Sequence, residues 1–175
     1  RMGREWYSPP GAGLYFSLVL RPEGRLTADG RDRAIRLLTL AAGVAVAEGI
    51  ERSQGLRPQL KWPNDVLANG RKIAGILLEL EPHGGAVVVG IGVNVNQQAF
   101  PIEIASVATS MAIEGGTEHD TAQAAEELAR ATLSEYEAYL RSGFEDIRKR
   151  WLKYMWGFGR QAEVHTEGRV ITGGI

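Results

Sequence analysis

The chain has 175 residues, a length typical of about one domain, and its composition of 44% hydrophobic and 23% charged residues excludes a disordered protein. It contains no cysteine, which excludes a disulfide framework, a thiol nucleophile and cysteine-ligated zinc. Lys and Arg number 20 against 21 Asp and Glu, so no net positive charge favours nucleic-acid binding. We find no bilayer-length apolar stretch and no signal-peptide pattern, and therefore expect a cytoplasmic protein without membrane contact.

Strand patterns dominate the first half of the chain. After an opening loop over residues 1–11, apolar patterns predict a strand at 14–20, a helix over about 29–52, and strands at 59–62, 66–68, 72–81 and 86–94. Asn69-Gly70 predicts a two-residue hairpin turn, since both positions of that turn favour positive φ. Small residues along the helix, among them Ala41 and Gly43, would let it lie close to a sheet.

Helix patterns dominate the second half. Asp120 predicts the N-cap of an amphipathic helix that ends near Gly143, and a second helix follows over 144–155. Residues 160–175 alternate and turn at Glu167-Gly168, which is typical of a hairpin. Strands grouped before helices predict an α+β fold, with a mixed β-sheet packed against helices.

The first candidate site is the N-terminal loop. Arg1 and Arg4 offer planar guanidinium groups suited to phosphate or carboxylate, and Trp6 offers a stacking face. Gly3 would allow a ligand to approach the backbone closely. The alternative interpretation is a solvated terminus.

The second candidate is the segment Lys61–Asp65, where a strand leads a lysine into a proline turn. Beside Trp62, the Lys61 amine is expected to be partly desolvated and to act strongly on a carboxylate or phosphate. Asn64 and Asp65 suit the turn because their side chains can bond nearby backbone amides. The alternative is an edge lysine beside an ordinary hairpin turn.

The third candidate is Gly90–Asn96, at the end of a buried strand. It is not a dinucleotide-binding loop, because Val95 stands at the third glycine and no helix follows. Its asparagines could bond a base or phosphate, or simply form a turn. His83, His119 and His165 lack metal-ligand spacing, and neither a phosphate-binding P-loop nor a nucleophile elbow is present.

In order and spacing, Lys61–Asp65, Arg71–Glu79 and Gly90–Asn96 resemble the catalytic domain of biotin protein ligases, also called biotin–[acetyl-CoA-carboxylase] ligases. Residues Arg1–Pro9 resemble the end of that family's arginine- and glycine-rich loop, with Met2 where the family usually has arginine. The resemblance covers nearly the whole chain.

The resemblance implies a fold like that of the class II aminoacyl-tRNA synthetases. It places a catalytic domain at residues 1–157, incomplete at its N-terminus, and the start of a small C-terminal β-barrel at 158–175. Because family members carry biotin-binding groups before the arginine loop, we expect the chain expressed alone to make little biotinyl-5′-AMP.

The resemblance also implies a two-step reaction. Biotin and Mg-ATP give biotinyl-5′-AMP and pyrophosphate, and a lysine of the biotin carboxyl carrier protein of acetyl-CoA carboxylase then takes the biotin and releases AMP. Mg²⁺ enters with ATP, and no residue is assigned to it as a ligand. The implied catalytic residues are Lys61, Arg1 and Arg4, and the implied biotin- or adenylate-binding residues are Arg1, Gly3, Arg4, Trp6, Lys61, Asn64, Gly75 and Asn94.

Two alternatives remain open. One is a lipoate or octanoate protein ligase or transferase of the same fold, and the other is a non-catalytic module that senses biotinyl-5′-AMP. Family members often pair through sheet edges, so the resemblance is compatible with a homodimer. In family members that have a DNA-binding domain, that domain precedes the catalytic domain, so these residues carry no signal for or against transcriptional repression.

Overall fold

The structure is a computed structural model that describes residues 7–21, 28–81, 86–166 and 168–174. The loop residues Arg1, Gly3, Arg4 and Trp6 therefore lie outside the described residues, and their roles stay predictions. In chain order the elements are β1 (Gly13–Leu20), α1 (Ala28–Gln54), β2 (Gln59–Lys61), β3 (Asp65–Ala68), β4 (Arg71–Leu80), β5 (Val87–Asn94), α2 (Met111–Gly115), α3 (Thr121–Ser142), α4 (Glu145–Tyr154), β6 (Gln161–Thr166) and β7 (Arg169–Gly174).

A five-stranded sheet in the order β1-β5-β4-β3-β2 organises the first half of the chain. Its strands pair antiparallel, while isolated parallel bridges join Leu60 to Met155 and Lys72 to Ala108. The predicted α+β fold with a mixed sheet and helices is confirmed. Strands β6 and β7 form a separate two-stranded sheet, and the described residues show no closed barrel there.

Helix α1 covers one face of the sheet, and its small residues bring it close, as predicted. A Cβ added at Gly43 would lie 3.5 Å from Leu60 Cδ2 and 4.0 Å from Ile76 Cδ1. Ala41 and Ala45 are buried beside it. The apolar core therefore lies between α1 and the sheet, and the opposite face of the sheet remains for a site.

The two later helices are fixed by polar contacts. Asp120 caps α3 as predicted, because its Oδ1 accepts hydrogen bonds from the backbone N–H groups of Ala122 and Gln123 at 2.8 and 3.1 Å. Helix α4 is tied to α3 by Arg150, whose Nη2 lies 2.5 Å from Glu135 Oε1. No helix in the described ranges combines the length and the apolar character needed to cross a bilayer.

The tip of the β3–β4 hairpin, where Asn69 has a φ of 49°, is bound to Glu114 of α2. Glu114 accepts hydrogen bonds from Thr109 Oγ1 at 2.6 Å and Arg71 Nη2 at 2.7 Å, and a further one from Asn69. Burial alone would raise the pKa of this carboxyl, but the hydrogen bonds and the arginine charge outweigh it and hold the pKa below 4.5.

Candidate active site

The side of the sheet opposite α1 carries glycines where a ligand could lie. Along β5, Val89, Ile91 and Val93 are buried against the core. Successive strand residues point to opposite faces, so Gly90 and Gly92 point away from the core. Neither glycine places a side chain on this face.

Cross-strand pairing places five residues in one row on that face. Lys61 pairs with Asp65, Asp65 with Gly75, Gly75 with Gly92, and Gly92 with Tyr15. Directly opposed residues have Cβ positions about 5 Å apart, so these five residues, which we call the glycine row, are neighbours across the sheet. The row has an amine and a carboxylate at one end, a phenol at the other, and a floor of two glycines between them.

A β-bulge brings a second amine to the charged end of the glycine row. The β3–β4 register shifts so that Ile73 is an extra residue, and both Ile73 and Ala74 are buried. Lys72 therefore faces the same side as Gly75 instead of the opposite one. Its Nζ lies 2.5 Å from Asp65 Oδ1. Simple alternation along the strand would have hidden Lys72, which is why the sequence did not single it out.

The two asparagines predicted as binding residues make hydrogen bonds within the protein. Asn64 Nδ2 donates to the Ile76 carbonyl at 2.8 Å, which fastens the proline turn to β4. Asn94 is buried, and its Nδ2 donates to the Thr109 carbonyl at 2.8 Å while its Oδ1 accepts from Gln97 at 3.3 Å. The Asn64 side chain fixes the turn after β2, and the Asn94 side chain fixes the loop that contains Thr109, both next to the glycine row. Direct contact with biotin or nucleotide stays a prediction for each.

The surroundings of Lys61 differ from those expected. The expectation of a partly desolvated lysine is wrong, because Lys61 is exposed and Trp62, now in a turn beyond the strand, is 65% exposed. The ring found next to the amine belongs to Trp156, whose centroid lies 5.1 Å from Lys61 Nζ. This contact joins residues 95 positions apart in the sequence, so no local pattern could have indicated it.

Chemically, this arrangement suits two anionic groups. Two amines and the backbone of a glycine floor can hold a carboxylate and a phosphate side by side, and a preorganised positive charge stabilises negative charge that develops between them. When no ligand is bound, the Asp65 carboxylate neutralises part of the positive charge of the two lysines. Within the described residues no three His, Asp or Glu side chains converge as a metal cage.

The chain belongs to the biotin/lipoate A/B protein ligase family, whose model matches residues 1–96. That match includes β1 to β5 and therefore every member of the glycine row.

Curated relatives agree with this assignment. The chain is 39% identical over 171 residues to the bifunctional ligase/repressor BirA of Bacillus subtilis, covering 95% of this chain and 51% of the relative. It is 39% identical over 159 residues to the biotin–[acetyl-CoA-carboxylase] ligase of Paracoccus denitrificans, covering 87% of this chain and 64% of the relative. The chain thus spans about half to two thirds of the length of these relatives.

Solved structures share the fold. The biotin protein ligase of Aquifex aeolicus in complex with biotin and ATP superposes with a TM-score of 0.87 at 30% identity, over 99% of this chain and 70% of that one. The biotin protein ligase of Leishmania major in complex with biotin superposes with a TM-score of 0.69 at 23% identity, over 97% of this chain and 71% of that one, and at that identity it supports the fold alone.

Proposed function

We propose that the protein activates biotin with ATP and transfers the biotin to a lysine of the biotin carboxyl carrier protein. The observation that carries this proposal is the glycine row, with Lys61 and Lys72 at one end of a floor formed by Gly75 and Gly92. Its relatives are named as biotin ligases, and a structural neighbour at 30% identity was solved with biotin and ATP. Both point to the same pair of substrates.

In the first step, a carboxylate oxygen of biotin attacks the α-phosphorus of ATP. The new oxygen–phosphorus bond gives biotinyl-5′-AMP, and pyrophosphate leaves with the bond electrons. The two reactants are both anionic, so bringing them together is the main barrier that a protein can lower without proton transfer. We assign this work to Lys61 and Lys72, with the glycine floor allowing the biotin chain to lie against the sheet.

In the second step, the carrier's lysine nitrogen attacks the carbonyl carbon of the mixed anhydride. An amide forms, AMP leaves with the electrons of the cleaved carbon–oxygen bond, and the attacking amine loses a proton. Mg²⁺ entering with ATP would be held mainly by the phosphates and would need only one or two protein carboxylates, of which Asp65 would be the one on the glycine row. Magnesium would neutralise part of the phosphate charge.

The test is Lys61→Ala in the intact protein, followed by pyrophosphate release with biotin and ATP. Loss of one preorganised charge from such a site commonly lowers the rate by about 10²–10³-fold, and we expect a fall of at least that order. The matched control is Lys153→Ala. Lys153 also lies over an aromatic ring, 5.2 Å from that of Tyr154, but it stands on α4 and outside the row.

Three results would contradict the proposal. Near-normal pyrophosphate release in Lys61→Ala would remove this amine from the reaction. Faster turnover with lipoate than with biotin would assign the protein to the lipoate branch of its family. Biotinyl-5′-AMP binding without any turnover of biotin and ATP would indicate a sensor module.

A further inference from the structure

The amine of Lys61 has two neighbours that could hold it, and the structure shows which one does. Its direct cross-strand partner is Asp65, and opposite charges in that position attract. Asp65 Oδ1 is instead 2.5 Å from Lys72 Nζ, while Lys61 Nζ lies over the Trp156 ring. A distance of 5.1 Å to the ring centroid is within the range of a cation–π interaction.

Trp156 is itself held firmly at the outer edge of β2. Its backbone N–H donates to the Leu60 carbonyl at 2.9 Å, and Met155 forms a parallel bridge with Leu60. The residue next to Lys61 in the strand is therefore bonded to the residue whose ring holds its amine. Strand β2 at the edge of the sheet and the Trp156 ring next to the Lys61 amine are therefore joined directly.

Helix α4, which ends just before Trp156, is anchored to the rest of the fold. Tyr154 is buried, and its hydroxyl donates to Glu51 on α1. Arg150 adds ion pairs to Glu48 of α1 at 3.3 Å and to Glu135 of α3 at 2.5 Å. Because α4 cannot shift without breaking these partly buried contacts, they hold the backbone of Trp156 in place beside β2.

We propose that Trp156 is a positioning residue that holds the Lys61 amine ready at the end of the glycine row and away from Asp65. The inference rests on the proposed function for its consequence in catalysis. It assigns a role in the reaction to the segment that joins α4 to the β6–β7 sheet, outside residues 1–96 that match the family model. In its absence, the amine would be free to turn to Asp65 or into solvent.

The experiment measures pyrophosphate release with biotin and ATP by the intact protein carrying Trp156→Leu, alone and combined with Lys61→Ala. We expect Trp156→Leu to lower kcat by about three- to tenfold, while Trp156→Phe, which keeps a π face, stays within about twofold. In the Lys61→Ala background, Trp156→Leu should have no further effect. Phe158→Leu, an exposed aromatic in the same turn, is the matched control and should behave like the parent.

A second measurement needs no ligand. In protein labelled with ¹³C-lysine, the ε-methylene signal of Lys61, identified by its loss in Lys61→Arg, should be shifted upfield by the indole ring current. Trp156→Leu should return it to the position of the other exposed lysines. An unshifted signal in the parent, or one unchanged by Trp156→Leu, would overturn the inference.

The kinetic outcomes separate this inference from the proposed function. A parent protein that releases no pyrophosphate from biotin and ATP overturns both. Loss of activity in Lys61→Ala with normal kcat in Trp156→Leu overturns only the positioning role. An equal fall caused by Trp156→Leu with and without Lys61 shows that the ring acts elsewhere, and also overturns it.

Discussion

Replacing Gly90 by alanine should make the protein more stable and its biotin binding weaker. Gly90 lacks a positive φ, and an added Cβ would lie 3.5 Å from the Leu77 carbonyl oxygen and 3.8 Å from Ser17 Oγ, which are ordinary contacts. Removing glycine's freedom in the unfolded chain should then stabilise the fold by about 0.4–1 kcal/mol, or about 1–4 °C in Tm. The new methyl group projects from the face on which biotin is proposed to lie.

The cost to binding follows from overpacking. An extra methyl group in a closely packed contact commonly costs about 1–3 kcal/mol, which corresponds to about 5- to 150-fold in affinity. Calorimetric titration of the intact protein with biotin, together with thermal unfolding, measures both effects. Unchanged biotin affinity in Gly90→Ala would refute a binding position in which biotin extends along β5 from the glycine floor at Gly92 to Gly90.

The chain offers a matched control on the other side of the sheet. Gly43→Ala adds the same methyl group within α1, where its Cβ would lie 3.5 Å from Leu60 Cδ2. Alanine should stabilise the interior of this helix by up to about 1 kcal/mol. Biotin affinity should not change, because this methyl group faces the core.

Three other substitutions test separate parts of the site and its frame. Lys72→Met leaves the Asp65 carboxylate without the lysine charge that balances it. At about 6 Å and an effective dielectric of about 20, this carboxylate would repel a bound anion by about 3 kcal/mol. Pyrophosphate release should therefore fall by about 100-fold, while Lys72→Arg should retain most of the activity. Glu114→Gln should lower the unfolding free energy above pH 4.5, because burial raises the pKa of Glu114 less than the donated hydrogen bonds lower it. The difference between the two proteins should disappear as the pH falls through this depressed pKa. If the carboxylate contributed no stability, urea unfolding of both proteins across pH would show no such convergence. Asn94→Ala leaves the Thr109 carbonyl without its buried donor and should lower the unfolding free energy by about 1–3 kcal/mol, which denaturant titration measures and an unchanged midpoint would contradict.

Local physical chemistry determines most elements of this fold without help from tertiary contacts. Asp120 predicts the start of α3 because a short carboxylate can accept from backbone N–H groups that a new helix leaves without partners. Asn69-Gly70 predicts the β3–β4 hairpin because both residues tolerate positive φ, and Gly70 indeed has a φ of 75°. Such signals act over a few residues, so the sequence displays them directly.

The order of the motifs likewise determined the family, and it identified Lys61 and Gly75, which the structure brings to one row. Tertiary structure decided how that row is completed. A single bulge residue turns Lys72 to the open face, where strict alternation would have hidden it. Trp156 lies beside the Lys61 amine because Tyr154 and Arg150 bind α4 to α1 and the backbone N–H of Trp156 bonds to the Leu60 carbonyl. Both effects depend on register and packing between distant segments, and a pattern read along the chain contains neither.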